Sequence, residues 1–304
     1  MFKDILCPLC SQPLKRVGKG IQCATPSCPG SKGAWSLKDK VVCLTEDSDD
    51  GFDTRWLNHP RPQAQTEQHL RMKTGWEPKD VDGKTILDAG CGVGRFIQVL
   101  LAWGAKHVVG VDCSPTGIQA ARENLAEAIQ QDRVTLIRAD LTRPYLAPGS
   151  VDMALSIGVL HHTPDPAGAF RVLAKIPRES LAVWVYTKHV SDDRWLPVLE
   201  MFHEITKGVP PQRLYEIFQR LAPRVRDAYN KEWGALQQIL RVSNQEDDSA
   251  CISDTMDWHS PEYRSWHTPE EVRGWFAEAG YQVDRTGEFP VSVRGFRATM
   301  PGKE

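Results

Sequence analysis

The run Ile86-Leu87-Asp88-Ala89-Gly90-Cys91-Gly92-Val93-Gly94-Arg95-Phe96 constrains this chain more than any other segment. An apolar strand runs into an acid, and three alternating glycines then turn the backbone into a helix. Glycine suits a backbone that bends sharply or approaches a ligand without a Cβ in the way. The start of the helix offers unpaired N–H groups and a partial positive charge to an anionic ligand group.

The spacing narrows the ligand. Nicotinamide-binding loops place glycines as G-x-G-x-x-G; this loop is G-x-G-x-G, with Asp88 on the strand just before it. A buried carboxylate there suits a cofactor with a cationic end rather than a pyrophosphate. S-adenosylmethionine carries an ammonium, a sulfonium and a carboxylate. Strand 107–112 ends at Asp112, about twenty residues past the glycines, where ribose hydroxyls are bound in such sheets. Strand 134–139 runs into Asp140, whose carboxylate can accept from an adenine amino group. Leu141 offers a backbone N–H and an apolar contact. Singly, Asp112 and Asp140 also read as ordinary acids at strand ends; with Asp88 and the loop they read as a cofactor set. The candidate cofactor residues are Asp88, Gly90, Cys91, Gly92, Gly94, Asp112, Cys113, Asp140, Leu141 and Ser156.

From Val81 to Lys188 strand and helix patterns alternate, which predicts a parallel sheet. Strands are expected at 85–89, 107–112, 134–139, 151–157 and 181–187, with helices near 94–103, 115–129 and 165–175. Residues 189–267 break that rhythm with apolar positions at helical spacing (Trp195, Leu199, Phe202, Ile205; Leu214, Phe218, Leu221) and read as a helical insertion that caps the site. Its Trp195, Trp233, Trp258 and Trp266 are expected mostly in its own core. The core resumes at Thr268-Pro269-Glu270-Glu271, a helix start with Thr as N-cap. Strand-like runs 281–286 and 291–299 close the chain. Residues 46–80 read as an acidic linker and a helical lead-in.

The cysteines carry a second signal. Of eight, Cys7, Cys10, Cys23 and Cys28 fall into two close pairs. Two such pairs can supply four thiolates to one tetrahedral Zn²⁺, with no position left open for catalysis. A structural zinc ribbon over residues 1–45 follows, in a segment too small to fold on its own core. No secretory signal or membrane span is read, so a cytoplasmic location is expected, where paired cysteines serve metals rather than disulfides. Cys43 lies in an apolar run and reads as core. The ribbon carries a local charge of +5, against −2 for the whole chain. The overall balance gives no general pull toward nucleic acid.

The runs ILDAGCGVGRF, VVGVDCS, RADL, SIGVLHHTPDP and LAVWVY resemble class I S-adenosylmethionine-dependent methyltransferases, in the group that includes ubiquinone and menaquinone methyltransferases. The resemblance spans residues 81–188 and extends to the C-terminus. It implies an α/β, Rossmann-like, doubly wound sheet of seven strands with the last antiparallel. It also implies that the glycines and Asp112 hold the methionine and ribose portions and that Asp140 faces adenine. One departure is Ile176-Pro177-Arg178-Glu179-Ser180, where many relatives have a Lys-Pro-Gly-Gly turn. The cysteine segment resembles zinc ribbons of an rRNA guanine methyltransferase and of a small protein that activates methyltransferases.

His161 and His162, at the end of the fourth strand, are candidate catalytic bases, although such a turn also serves simply to pack against the cofactor. Tyr186 is a candidate for the acceptor pocket, and Trp184 reads as core. Arg294 and Arg297 can meet an acidic group but read first as solvated. Three functions fit: a methyltransferase acting on a small or medium-sized metabolite, an RNA methyltransferase docking through the basic ribbon, and a non-catalytic cofactor-binding regulator. Neutral charge and the aromatic insertion favour the first. The oligomeric state is not legible in the sequence.

Overall fold

The computed structural model describes residues 4–18, 20–33, 35–45, 63–188, 196–229, 242–288 and 291–297. The acidic run 46–53, Trp56, Leu57, Trp195 and Trp233 lie outside them. The described residues form two compact units. One takes in those within Met1–Ser48, Gln63–Thr187 and Ser265–Glu304, the other those within Lys188–Arg264.

The first unit is built on one sheet. Its strands are β1 (Leu14–Val17), β2 (Gly20–Cys23), β3 (Trp35–Lys38), β4 (Val41–Cys43), β5 (Thr85–Ala89), β6 (His107–Asp112), β7 (Val134–Arg138), β8 (Val151–Ile157), β9 (Pro177–Trp184), β10 (Tyr281–Glu288) and β11 (Val291–Arg297). Their order is β1-β2-β3-β4-β7-β6-β5-β8-β9-β11-β10. The expected seven strands occupy the stretch from β7 to β10. They are parallel from β7 to β9, with β11 antiparallel to β9. Among the described residues the sheet extends beyond those seven strands to eleven, because β4 pairs in parallel with β7 and brings β1–β3 with it. The cysteine-rich segment is therefore part of the main sheet. β4 also covers backbone groups of β7 that would otherwise form an open edge.

Alternation along the buried strands sends neighbouring side chains to opposite faces. Leu87, Ala89, Val109 and Val111 join one apolar cluster, packed by Phe170 and Phe276. Ile86, Val108, Leu136 and Leu155 join the other, packed by Leu70, Phe96, Ile97 and Ile118. The helices of the first cluster are α6 (Pro166–Leu173) and α10 (Pro269–Glu278). Those of the second include α1 (Gln63–Thr74), α3 (Arg95–Ala102) and α4 (Pro115–Asn124). Short helices α2 (Pro78–Val81) and α5 (Ala126–Gln130) complete the set. The expected helix 115–129 is two pieces, since Leu125 leaves helical geometry at φ −112° and ψ 15°. β9 begins at Pro177, earlier than expected: the segment read as a turn is already strand, with proline at its first position.

In the second unit, α7 (Leu196–Thr206) and α8 (Pro211–Tyr229) are helical as their spacing predicts, and α9 (Asp248–His259) is a further helix that no spacing had marked. Leu214, Phe218, Val225, Cys251 and Met256 form its core. Ile205 and Leu221, read as part of the apolar face, are exposed. The insertion stops at Arg264 rather than at residue 267. Ser265 N–H donates to the His161 carbonyl, His267 N–H donates to the Tyr186 carbonyl, and Thr187 bridges His267 beside the end of β9. Trp266 accordingly packs on Tyr186 (ring centroids 5.2 Å apart) and not in the helical core. Among the described residues no helix is long and apolar enough to cross a membrane.

Candidate active site and metal centre

The strand order reverses at β5, whose neighbours β6 and β8 lead to opposite sides of the sheet. In open α/β sheets ligands gather at the carboxyl ends beside such a reversal. The glycine loop lies there. Gly90 and Cys91 both donate to the Val111 carbonyl, which folds the loop back over β6. Gly90 has φ +88°, and a Cβ on it would stand 2.2 Å from Val159 Cγ2. Gly92 has φ +51°, and a Cβ there would meet no protein atom within 4 Å. The loop is thus closed on the Gly90 side and open on the Gly92 side, as a ligand cradle requires.

Asp88 and Asp112 stand behind this loop, 1% and 6% exposed. Asp88 Oδ2 has no hydrogen-bond partner. Burial, reinforced by the Asp112 charge and opposed by Arg95, pushes the Asp88 carboxyl up to about 7. A buried carboxylate oxygen left unpaired is costly, and a ligand cation would satisfy it. Asp112 accepts from Gly92 N–H at 2.7 Å and from Ser114 N–H at 2.9 Å. It pins the open side of the loop to the start of α4, where Ser114 accepts from Gly117 N–H as N-cap.

The other candidates divide. Asp140 accepts from the N–H and hydroxyl of Thr142, with Arg143 at 3.8 Å, and Leu141 is buried beside it. Cys113 is exposed, whereas Cys91 is buried under the loop, where burial pushes its thiol well up. Only the backbone of Cys91 lies in the loop surface. Ser156 is buried and donates to the Ala89 carbonyl, tying β8 to the end of β5.

His161 is buried and stacks on Tyr186 at 3.8 Å between ring centroids. Tyr186 N–H donates to His161 Nδ1 at 3.2 Å. That nitrogen therefore holds the lone pair, and the proton of the neutral ring sits on Nε2. His162 is half-buried against the same tyrosine. Tyr186 is itself only 5% exposed. Trp184, read as core, is half-buried, and the Lys73 ammonium lies 3.5 Å from its ring centroid. Arg294 pairs with Asp284 and donates to the Gly75 carbonyl, and Arg297 donates to the carbonyls of Pro177 and Ala174. Both hold the sheet edge instead of standing in solvent.

One group escaped the sequence reading. Ser265 Oγ lies 2.8 Å from His267 Nε2, and His267 Nδ1 lies 2.9 Å from Glu271 Oε1. The signal was present in Ser265-x-His267 followed by Glu271, but the helix-start pattern claimed that glutamate.

At the other end of the unit, the sulfurs of Cys7, Cys10, Cys23 and Cys28 all lie within 4.8 Å of one another. Cys7 and Cys28 are 3.7 Å apart, and Cys10 and Cys23 are 3.4 Å apart. Zn–S bonds of about 2.3 Å place tetrahedral sulfurs at roughly 3.8 Å. Thr25 N–H points at Cys23 Sγ, and Gln12 N–H lowers the Cys10 thiol to about 7, while burial pushes Cys28 up to about 12. A Cβ on Gly30 would stand 2.8 Å from Trp35 Nε1 and 3.1 Å from Cys7 Sγ, so the backbone passes close under the cluster. Cys43 packs against the main core.

Residues 87–180 match the family model described as "Methyltransferase domain". Ribosomal protein L11 methyltransferase of Photobacterium profundum is 34% identical over 109 residues, which cover 28% of this chain and 37% of that protein. Ubiquinone biosynthesis O-methyltransferase of Neisseria meningitidis is 29% identical over 133 residues, covering 43% of this chain and 55% of that protein. The chain thus spans between 37% and 55% of the length of these two curated relatives. Magnesium protoporphyrin IX methyltransferase from Synechocystis, solved with bound SAH, is 18% identical with a TM-score of 0.47, covering 78% of this chain and 83% of that one. The matched segment holds Asp88, the three glycines, Asp112, Asp140 and the histidine pair. The likeness to this domain is confined to residues 87–180, near the centre of the chain.

Proposed function

We propose that this chain transfers the methyl group of S-adenosylmethionine to a small or medium-sized metabolite. The observation that carries the reading is the cradle at Gly90–Gly94, open at Gly92 and backed by the unpartnered Asp88 oxygen. In this reading Asp88 faces the cofactor's ammonium side. The loop N–H groups and the start of α3 face its carboxylate, Asp112 the ribose, and Asp140 with Leu141 the adenine. Bound there, the cofactor supplies a methyl carbon on an already activated leaving group. The chain's task is then alignment and exclusion of water. His161 serves to hold the turn after β8 in place.

Asp88 makes cofactor binding depend on pH. Its carboxyl is raised to about 7, with Asp112 and Arg95 as the charged groups facing it. In the free chain this raised group favours the fold below its unfolded value, and that contribution is lost as pH rises toward 7. The cofactor's cation needs the ionised form. Affinity for S-adenosylmethionine, measured by calorimetry, is expected to rise by up to about tenfold per pH unit below 7 and to level off above it. Asp88→Asn should bind weakly with a flat profile. A flat profile in the unaltered chain would remove Asp88 from the site.

Asp112→Asn keeps the shape of the side chain but loses its charge. It is expected to weaken cofactor binding at least tenfold, with a melting temperature within a few degrees of the parent. Undiminished binding would mean that the ribose lies elsewhere.

We also propose that Cys7, Cys10, Cys23 and Cys28 hold one structural Zn²⁺. Their mutual spacing and the backbone N–H groups aimed at sulfur support this reading.

A further inference from the structure

We propose that Ser265, His267 and Glu271 form a proton relay that deprotonates a hydroxyl on the methyl acceptor, making the chain an oxygen methyltransferase. This rests on the methyltransferase reading above and names the acceptor atom that it leaves open.

The relay starts at the correct edge of the sheet. Val159 packs on Gly90 of the cofactor loop, and two residues later the His161 carbonyl accepts from Ser265 N–H at 2.9 Å. Ser265 is half-buried, and His267 is 5% exposed. The relay therefore runs from a half-buried serine to a covered imidazole. Glu271 contacts Nδ1, and the edge of Trp275 lies against the ring with centroids 4.9 Å apart. Glu271 is the one charged side chain that contacts His267 among the described residues. Trp266 offers a half-buried ring beside Tyr186, a surface suited to a flat acceptor.

The distances fit both protonation states. At rest Ser265 O–H donates to His267 Nε2 across 2.8 Å, while Nδ1–H donates to Glu271. As the acceptor oxygen attacks the methyl carbon, the carbon–sulfur bond breaks and its electron pair stays on sulfur. The acceptor's proton moves to Ser265 Oγ, and the former serine proton moves to Nε2. The imidazolium is then held by the Glu271 carboxylate. Nε2–H now donates to Ser265 Oγ, whose new O–H is free to donate to the His161 carbonyl at 3.3 Å. One methyl group and one proton have been exchanged, and no further reactant is needed. Ser265 is the catalytic group, while His267 and Glu271 act through it.

Two measurements on the full chain test this. The first is nitrogen NMR of the ¹⁵N-histidine-labelled protein. His267 is expected to carry its proton on Nδ1, with a free Nε2 lone pair at pH 8. A His267 protonated on Nε2 at that pH cannot accept a proton and overturns the relay. The second uses methyl-labelled S-adenosylmethionine and the methanol-soluble extract of host cells as the acceptor pool. Ser265→Ala and His267→Gln are expected to lose about 100-fold in labelling rate, the usual worth of a proton acceptor, with unchanged cofactor affinity. Ser265→Thr should retain most of the rate. Glu271→Gln should move the rising limb of the pH profile to lower pH, because the imidazolium loses its counter-charge. A purely structural role would leave that profile in place. Ser265→Ala labelling at the parental rate overturns the relay. If the parent labels no acceptor, the methyltransferase reading fails. The relay as an arrangement able to take a proton is then judged by the NMR result alone.

Discussion

Replacing Gly90 by Ala is expected to loosen the fold, whereas replacing Gly92 by Ala leaves the fold and removes the cofactor. Both residues lie at positive φ, which costs a non-glycine residue about 1–2 kcal/mol. Only at Gly90 does the new methyl group collide with protein, the buried side of Val159 at 2.2 Å. Relieving such overpacking costs a further ~1–3 kcal/mol. The sum approaches a third of the stability of a typical domain, about 5–15 kcal/mol. Thermal unfolding should show Gly90→Ala melting roughly 10 °C lower, and Gly92→Ala only a few degrees lower. Calorimetry with S-adenosylmethionine should find binding lost in Gly92→Ala at a temperature where that variant is folded. Tight binding by folded Gly92→Ala would show that the open side of the loop is not the cradle.

Stripping metal from the cysteine cluster should have an effect of similar or greater size. Structural zinc binding in small finger peptides is worth about 10–16 kcal/mol of apparent free energy. Here Cys7, Cys23 and Cys28 belong to the same apolar cluster as Leu87, Val109 and Phe170. Losing the ion should unravel β1–β3, release β4 and uncover the edge of β7. An exposed edge strand invites pairing with other chains. Hydrogen exchange after treatment with a strong chelator is expected to show lost protection over 14–43, retained protection in β5, β6 and β8, and rising aggregation. Elemental analysis of the dialysed chain should find about one Zn per molecule. Unchanged exchange over β1–β4 without bound metal would show that the cluster is held by packing alone.

Much of the cofactor half of this account was legible in the sequence. A strand running into Asp88 and glycines at alternate positions are local features, and local features fix local geometry. Asp112 is an instructive case. Its place at the end of β6 followed from strand periodicity, but its bond to Gly92 did not, since that bond joins segments twenty residues apart only when the loop folds over β6. The ribbon was legible as a metal pattern and illegible as part of the sheet. Val41-Val42-Cys43 reads as any short apolar run, and its parallel pairing with β7 depends on a contact across more than ninety residues. The end of the insertion was misplaced for the same reason. Ser265 to His267 carry no periodicity, and their place is set by backbone bonds to His161 and Tyr186. Glu271 shows how one local signal hides another: it matches the third position of a helix start, yet its carboxylate holds His267.

Methyl transfer itself is the central claim. Incubating the full chain with methyl-labelled S-adenosylmethionine and a host extract tests it most directly, with Gly92→Ala as control. The account predicts label in a small-molecule fraction that resists nuclease and protease and that vanishes with the variant. Label in no fraction, label lost on nuclease or protease treatment, or label undiminished in Gly92→Ala would contradict it.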